Sequence, residues 1–151
     1  MTEERLLALF GEYRNMVYRL ALSYTHSVQD AEDLVQTVFL KLLESPHPPA
    51  EEKEKAWLAK VTVNAGRDLL RSAPKSRWEP LEDTFPAPEE ESGLFQTVMS
   101  LPPKYRAAVY LHYYEGYTLA ETARLLHTGI SAVSMRPHRA RKLLANWQEP
   151  Q

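Results

Sequence analysis

Basic side chains cluster towards the end of the chain, at Arg136, Arg139, Arg141 and Lys142. They fall inside or just after the second helix of a predicted helix-turn-helix, which spans residues 118–144. A helix-turn-helix places its second helix against a DNA groove, where cationic side chains bind phosphates. The chemistry predicted for these residues is therefore the binding of nucleic acid.

A second candidate surface lies on a helix predicted over about residues 52–71. On a helical wheel of about 100° per residue, one narrow stripe holds Lys53, Trp57, Lys60, Asn64, Arg67 and Arg71. The apolar residues placed roughly opposite are Leu58, Val61, Ala65 and Leu69. Cations bind phosphates and tryptophan stacks on unpaired bases, so the stripe suits a nucleic-acid strand. An ordinary amphipathic helix with a solvated face is the alternative, and this helix taken alone favours it.

The remaining polar residues form no catalytic constellation. The 151 residues include no cysteine, which excludes a disulfide framework, a thiolate metal site and a cysteine nucleophile. His112 and Glu115 have a spacing found in helical metal sites, but no further ligand lies near them in sequence, and core packing or capping is the favoured interpretation. Five glycines form no phosphate-binding loop. We expect no enzymatic activity, no metal and no cofactor.

Composition and length predict an ordinary globular protein. Hydrophobic residues make up 44% and charged residues 25% of the chain. No apolar run approaches the roughly 20 residues of a membrane span. The first residues are acidic where a signal peptide would be basic, so we expect a cytoplasmic protein without membrane insertion.

Helices must position the candidate residues. Apolar residues recur at three- and four-residue steps from Leu6 through Phe10 and Tyr13 to Tyr24, which predicts a first helix. Ser27 is expected to cap a second helix. The predicted core positions of that helix are Ala31, Leu34, Val35, Val38, Phe39 and Leu42. Three prolines within residues 45–50 separate it from the third helix. No alternation typical of strands is visible, so the predicted fold class is all-α.

Charge and proline content divide the chain into two small helical domains, predicted as residues 1–72 and 94–151. The intervening residues 73–93 are proline-rich and acidic, which predicts an extended, mobile linker. Residues 94–151 carry seven Lys or Arg against three Asp or Glu. A basic unit on an acidic linker is typical of a tethered polyanion-binding module.

Four segments together resemble a known family. Residues 30–44 (DAEDLVQTVFLKLLE), 55–71 (KAWLAKVTVNAGRDLLR), 101–126 (LPPKYRAAVYLHYYEGYTLAETARLL) and 138–144 (HRARKLL) are similar to bacterial sigma factors of the sigma-70 family. The most similar group is the small extracytoplasmic-function (ECF) type. The resemblance covers nearly the whole chain and keeps both blocks in the family's order.

The resemblance implies a region 2-like three-helix bundle and a region 4-like helix-turn-helix domain. Core RNA polymerase would bind through its β′ clamp helices to Asp30, Glu32, Asp33 and Gln36. The −10 promoter element would meet Trp57, Lys60, Asn64, Arg67 and Arg71. The −35 element would meet Ser131, Ser134, Arg136, His138, Arg139, Arg141 and Lys142. The family also implies contact with the polymerase β flap and a possible anti-sigma factor. From the residues alone, acids in the first turn of a helix are explained by its dipole.

The turn of the helix-turn-helix permits two registers. One puts His127 where the family has its tight-turn glycine and keeps Val133 and Arg136 aligned. The other, which we prefer from the sequence, uses Gly129 for a positive φ and Ser131 as the next cap.

Pro137 departs from the family, which has leucine there. A proline inside a helix costs about 3 kcal/mol. The recognition helix is therefore expected to kink there or to begin at Pro137.

Three functional hypotheses follow. The first is an ECF sigma factor that directs promoter-specific initiation. The second is a degenerate sigma-like regulator with weakened −35 recognition. The third is a helical protein-interaction module that binds a regulator and not DNA.

Overall fold

The computed structural model describes residues 1–72, 98–101 and 103–133. These residues form helices and connecting turns, with no strand among them. The chain divides into two compact units, Met1–Arg77 and Trp78–Gln151. The all-α prediction is confirmed. The predicted linker, residues 73–93, lies outside the described residues.

Three helices build the first unit: α1 (Glu3–Thr25), α2 (Val28–Glu44) and α3 (Glu54–Ser72). α1 packs against both α2 and α3. The predicted cap of α2 is present, because the Ser27 hydroxyl accepts a hydrogen bond from the Asp30 amide at 3.3 Å. The prolines between residues 45 and 50 lie in the connection from α2 to α3, as expected.

The core of this unit lies between the three helices. All six predicted core positions of α2 are buried. α1 is buried on every side from Met16 to Thr25. Its predicted apolar positions nearer the N-terminus are less covered: Phe10 is 37% exposed, and Leu6 and Tyr13 are half-buried. The first helix is present as predicted, and the bundle encloses it on every side only in its C-terminal part.

α1 and α3 approach each other closely at Gly66. A Cβ atom added there would lie 2.7 Å from Cγ and 2.8 Å from Cδ2 of Tyr24. One turn earlier, the buried Thr62 hydroxyl donates to the Leu58 carbonyl at 2.6 Å, so this polar group is satisfied within α3. Two residues of α3 therefore make room for the aromatic ring of Tyr24. Gly66 has no side chain, and the hydroxyl of Thr62 is hydrogen-bonded within its own helix.

An ion pair joins the starts of the same two helices. Arg5 of α1 donates to both carboxylate oxygens of Glu54, with Nε 2.9 Å from Oε2. Glu54 is only 4% exposed, so its carboxylate depends on this cation for compensation. The contact raises the pKa of Arg5 through the hydrogen bond to Glu54. The pair fixes α3 against α1 at its first turn.

The second unit contains α4 (Pro103–Val109), which continues into a π-helical turn, Tyr110–Tyr114. Gly116 follows with a φ of 79°, a left-handed conformation that favours glycine. α5 (Leu119–Leu125) comes next, and a further helix begins at residue 130. The two helices after Gly116 confirm the beginning of the predicted helix-turn-helix. None of the helices that the structure describes is long and apolar enough to span a membrane.

Candidate nucleic-acid interface

The predicted contact residues occupy α2, α3 and the stretch after α5. The structure describes the predicted residues of α2 and α3, and it also describes Ser131. The others, together with Pro137, lie beyond residue 133 and outside the described residues. They are Ser134, Arg136, His138, Arg139, Arg141 and Lys142.

The basic stripe of α3 lies on the surface of the first unit. Lys60, Asn64 and Arg71 are exposed, whereas Trp57 and Arg67 are half-buried at its edges. Exposed cations beside a partly covered indole can bind a phosphate backbone and stack on a base. α3 therefore brings all five predicted residues together on one face.

The buried face of α3 differs from the predicted one. It consists of Leu58, Ala59, Thr62, Val63 and Gly66. Of the residues predicted opposite the stripe, Leu58 alone is buried, while Val61, Ala65 and Leu69 are half-buried. On the helical wheel the true core face is rotated by about 90° from the prediction. The reason is that the close contact with α1 selects small residues over the most hydrophobic ones.

Asp68 was missed among the candidates. This residue of α3 has a side chain that is 76% exposed, and its Oδ1 lies 3.8 Å from Nη1 of Arg71. On the helical wheel it lies at the edge of the stripe, about 20° beyond Trp57, and as an acid it does not fit the pattern of cations and aromatics that defines the stripe. The predicted contact surface is therefore bordered by one acid.

The predicted acidic face of α2 is also on the surface. Glu32, Asp33 and Gln36 are exposed, and Asp30 is half-buried. The face continues towards the C-terminus of α2 with Leu40 and Leu43, which are 53% and 46% exposed. Large apolar side chains exposed next to one another are unusual on an isolated surface and typical of contact sites. The sequence could have indicated this exposed patch, because Leu40 and Leu43 are apolar residues of α2 that lie outside its six predicted core positions.

Tyr18 of α1 lies close to this face. Burial raises the pKa of its hydroxyl to about 12, the Glu32 carboxylate adds to the rise, and Arg14 opposes it. The hydroxyl has no hydrogen-bond partner within the described part of the chain. Because the folded-state pKa exceeds the ordinary value, the contribution of the neutral hydroxyl to stability is complete below about pH 10 and is lost as the pH rises through about 12.

Tyr18→Phe is expected to make the first unit less sensitive to alkaline pH. The phenyl ring keeps the packing but cannot ionise, so stability should fall less steeply between about pH 10 and 12 than in the unchanged protein. Urea unfolding followed by circular dichroism at pH 7, 10, 11 and 12 measures the difference. Parallel pH profiles for the two proteins would contradict the expectation.

The first helix of the helix-turn-helix is held by a capping box. The Thr118 hydroxyl accepts from the Glu121 amide at 3.0 Å, and Glu121 Oε1 accepts from the Thr118 amide at 3.0 Å. These hydrogen bonds lower the pKa of Glu121. The Thr-x-x-Glu spacing is a sequence signal for a helix start that our sequence analysis did not use.

The turn after α5 follows the register that we did not prefer. His127 has the positive φ, 55°, while Gly129 does not have a left-handed backbone. The Gly129 carbonyl accepts from the Val133 amide at 3.2 Å, and the helix includes residues 130–133. Ser131 therefore lies inside the helix and does not cap it, which corrects our expectation. His127 takes the place of the tight-turn glycine, and Val133 is buried.

The pair His112 and Glu115 is engaged in hydrogen bonds of the second unit. Nδ1 of His112 lies 2.7 Å from the Tyr117 carbonyl, and Glu115 accepts from the Tyr110 hydroxyl at 2.6 Å. Among the residues that the structure describes, no group of three or more potential ligands could hold a metal ion. These contacts support a structural role for the pair.

Comparisons with known proteins match both units of the chain. The family model for sigma-70 region 2 matches residues 9–75, and that for sigma-70 region 4 matches residues 94–144. The ECF RNA polymerase sigma factor SigM of Mycobacterium tuberculosis is 32% identical over 91% of this chain and 74% of its own length. The RNA polymerase sigma factor SigV of Bacillus subtilis is 29% identical over 95% of this chain and 90% of its own.

Two solved structures share the fold. CnrH, in complex with the cytosolic domain of CnrY, has a TM-score of 0.61 and 23% identity, covering 95% of this chain and 87% of its own. The sigma factor RpoE of Bartonella quintana, in complex with the anti-sigma factor NepR, has a TM-score of 0.60 and 21% identity, covering 93% and 91%. At this level of identity the likeness concerns the fold alone.

Proposed function

The chain belongs to the sigma-70 family, as an RNA polymerase sigma factor of the ECF type, and from this premise we propose which of its surfaces carry the function. Proteins of this type direct promoter-specific transcription initiation by binding core RNA polymerase and promoter DNA. They are transcription regulators, and the chemistry of RNA synthesis resides in the polymerase.

We assign the −10 contact to the stripe of α3. The observation that carries the assignment is the separation of its two faces: exposed Lys60, Asn64 and Arg71 lie opposite buried Thr62 and Gly66. Trp57 and Arg67 complete the stripe from its half-buried edges. A strand can then lie along α3 without displacing any core side chain, with cations on phosphates and Trp57 stacked on an unpaired base.

We assign the polymerase contact to the exposed face of α2. Its N-terminal half offers carboxylates at Asp30, Glu32 and Asp33, with Gln36 beside them, and its C-terminal half offers Leu40 and Leu43. This sequence of acidic and then apolar groups suits a partner helix that carries basic and apolar side chains in the matching order.

Replacing both exposed leucines by serine is expected to weaken binding to core RNA polymerase. Burying a leucine contributes about 1.5–3 kcal/mol, so partial burial of Leu40 and Leu43 predicts a loss of roughly 10- to 100-fold in affinity. Fluorescence anisotropy of labelled protein with core enzyme measures it. The matched control, Leu40→Met/Leu43→Met, keeps the apolar area and should keep the affinity. Equal affinities for all three proteins would place the polymerase contact elsewhere.

We assign the −35 contact and the β flap contact to the second unit. The exposed Ser131 lies in the first turn of the recognition helix. Arg136 and Arg139 follow in the sequence, with Ser134, His138, Arg141 and Lys142 as the further predicted contacts. Pro137 comes seven positions after the first helical residue, Ile130. This proline supports a second candidate function, a sigma factor with weakened −35 readout, since an interior helical proline is costly.

In vitro transcription tests both candidate functions, ordinary promoter recognition and weakened −35 readout. Core RNA polymerase is combined with the intact protein or with Pro137→Leu on a library of promoter fragments. Initiation at specific fragments by the intact protein supports ordinary promoter recognition. Initiation only with Pro137→Leu supports the weakened reader. If neither protein, although folded, supports initiation, the proposed function is wrong and the helical interaction module is favoured.

Two further proposals follow from the family. We propose that the protein acts in the cytoplasm, where bacterial RNA polymerase works. We also propose control by an anti-sigma factor, because RpoE of Bartonella quintana, a structural neighbour, was solved with one. Competition between such a factor and core polymerase for α2 would test it.

A further inference from the structure

An acid borders the basic stripe of α3. On the helical wheel Asp68 lies about 20° beyond Trp57 and about 40° from Asn64, at the edge of the stripe that we assign to DNA. The cations of the stripe are Lys60, Arg67 and Arg71, with Lys53 just before the helix. A carboxylate at this edge adds nothing to the attraction for phosphates, because its charge repels the backbone.

The structure leaves the Asp68 carboxylate available. Its side chain is 76% exposed, and that of Arg71 is 70% exposed. The distance of 3.8 Å between Oδ1 and Nη1 is long for a hydrogen bond, and exposed pairs of this kind are weak and screened by salt. Asp68 therefore retains acceptor capacity towards whatever lies on the stripe.

The chemistry of a carboxylate selects base edges over phosphates. Ionised aspartate only accepts hydrogen bonds. In nucleic acids the suitable donors are exocyclic amino groups, such as N4 of cytosine and N6 of adenine, whereas thymine presents carbonyl oxygens that a carboxylate repels. The flanking cations can hold the backbone while Asp68 meets a base.

We propose that Asp68 is a specificity-determining residue of α3, which accepts a hydrogen bond from the exocyclic amino group of a promoter base. The proposal rests on the assignment of the stripe to the −10 contact. It adds to that assignment a residue that discriminates between sequences, where the cations mainly supply affinity.

Selection of promoter sequences tests this role. Holoenzyme assembled from core polymerase and the full-length chain is used to enrich fragments with a randomised −10 region. We expect Asp68→Ala to lose a preference of about tenfold for an amino-bearing base at one position. Asp68→Asn, which keeps an acceptor oxygen, should retain part of it. The matched control Glu4→Gln, an exposed acid on α1, should leave the profile unchanged.

Three outcomes would overturn the proposal. An unchanged sequence preference in Asp68→Ala would show that Asp68 does not contact a base. A uniform gain in affinity for all fragments would show that Asp68 acts only by repelling the phosphate backbone. An effect that disappears when Arg71 is already alanine would make Asp68 a positioning residue for Arg71. These outcomes leave the −10 assignment intact. Absence of any preference with the unchanged protein would instead reject that assignment, and the proposal with it.

Discussion

Gly66→Ala is expected to destabilise the first unit by about 1–3 kcal/mol, the usual cost of overpacking a filled core. The added methyl group would lie 2.7–2.9 Å from three carbon atoms of Tyr24, including its Cβ. A rotation of the tyrosine ring does not relieve a contact with Cβ, so α1 and α3 must move apart. The Arg5–Glu54 pair holds the two helices together at the start of α3, which limits that movement.

The chain offers a matched control for this substitution. Gly11 lies within α1, and an added Cβ there would meet nothing within 4 Å. Alanine in an exposed helical position is favoured over glycine, so Gly11→Ala should stabilise the same unit by roughly 0.5–1 kcal/mol. Urea unfolding of the three proteins measures both changes. Effects of the same sign would show that helix propensity, and not the contact with Tyr24, decides the outcome at Gly66.

Removing two cations from the stripe should weaken promoter binding strongly. In Lys60→Gln/Arg71→Gln two exposed charges of α3 are lost. Each phosphate contact contributes about 0.7–0.9 to the slope of log affinity against log salt, so the slope should become shallower by roughly 1.4–1.8. At low salt, we expect affinity for promoter DNA to fall about 10- to 100-fold. Binding of assembled holoenzyme to a labelled promoter at a series of salt concentrations gives both quantities.

A charge-matched variant separates the stripe from general electrostatics. Arg14→Gln/Lys41→Gln removes the same charge from exposed positions of α1 and α2. Because these residues lie outside the stripe, the salt slope should stay close to that of the unchanged protein. If both double variants lose affinity equally, the overall field of the protein and not α3 attracts the DNA.

The helices themselves could be predicted from periodicity and breakers. The cap at Ser27 and the six core positions of α2 follow directly from an apolar stripe and a capping residue. The core face of α3 could not be predicted in this way, because Thr62 and Gly66 are buried for their size and not for their hydropathy. Which small residue meets which aromatic ring is a property of the tertiary contact.

The turn of the helix-turn-helix shows a different limit of sequence reasoning. Glycine is the usual residue at a positive φ, yet His127 takes that conformation although Gly129 is available two residues later. The register is decided by where the next helix begins, and that position depends on burying Val133. The burial of Val133 therefore outweighs the preference for glycine at a positive φ. The exposure of Leu40 and Leu43 is likewise set by which faces of α2 its neighbours cover.

The separation of the two faces of α3 has a consequence for how such a protein can diverge. Residues that hold the helix in place, such as Gly66, are not those that we assign to DNA, such as Lys60 and Asp68. Mutations on the outer face can alter which promoters are chosen without a penalty in folding. After gene duplication, a copy could acquire a new set of target genes through a few surface changes while inheriting the scaffold intact.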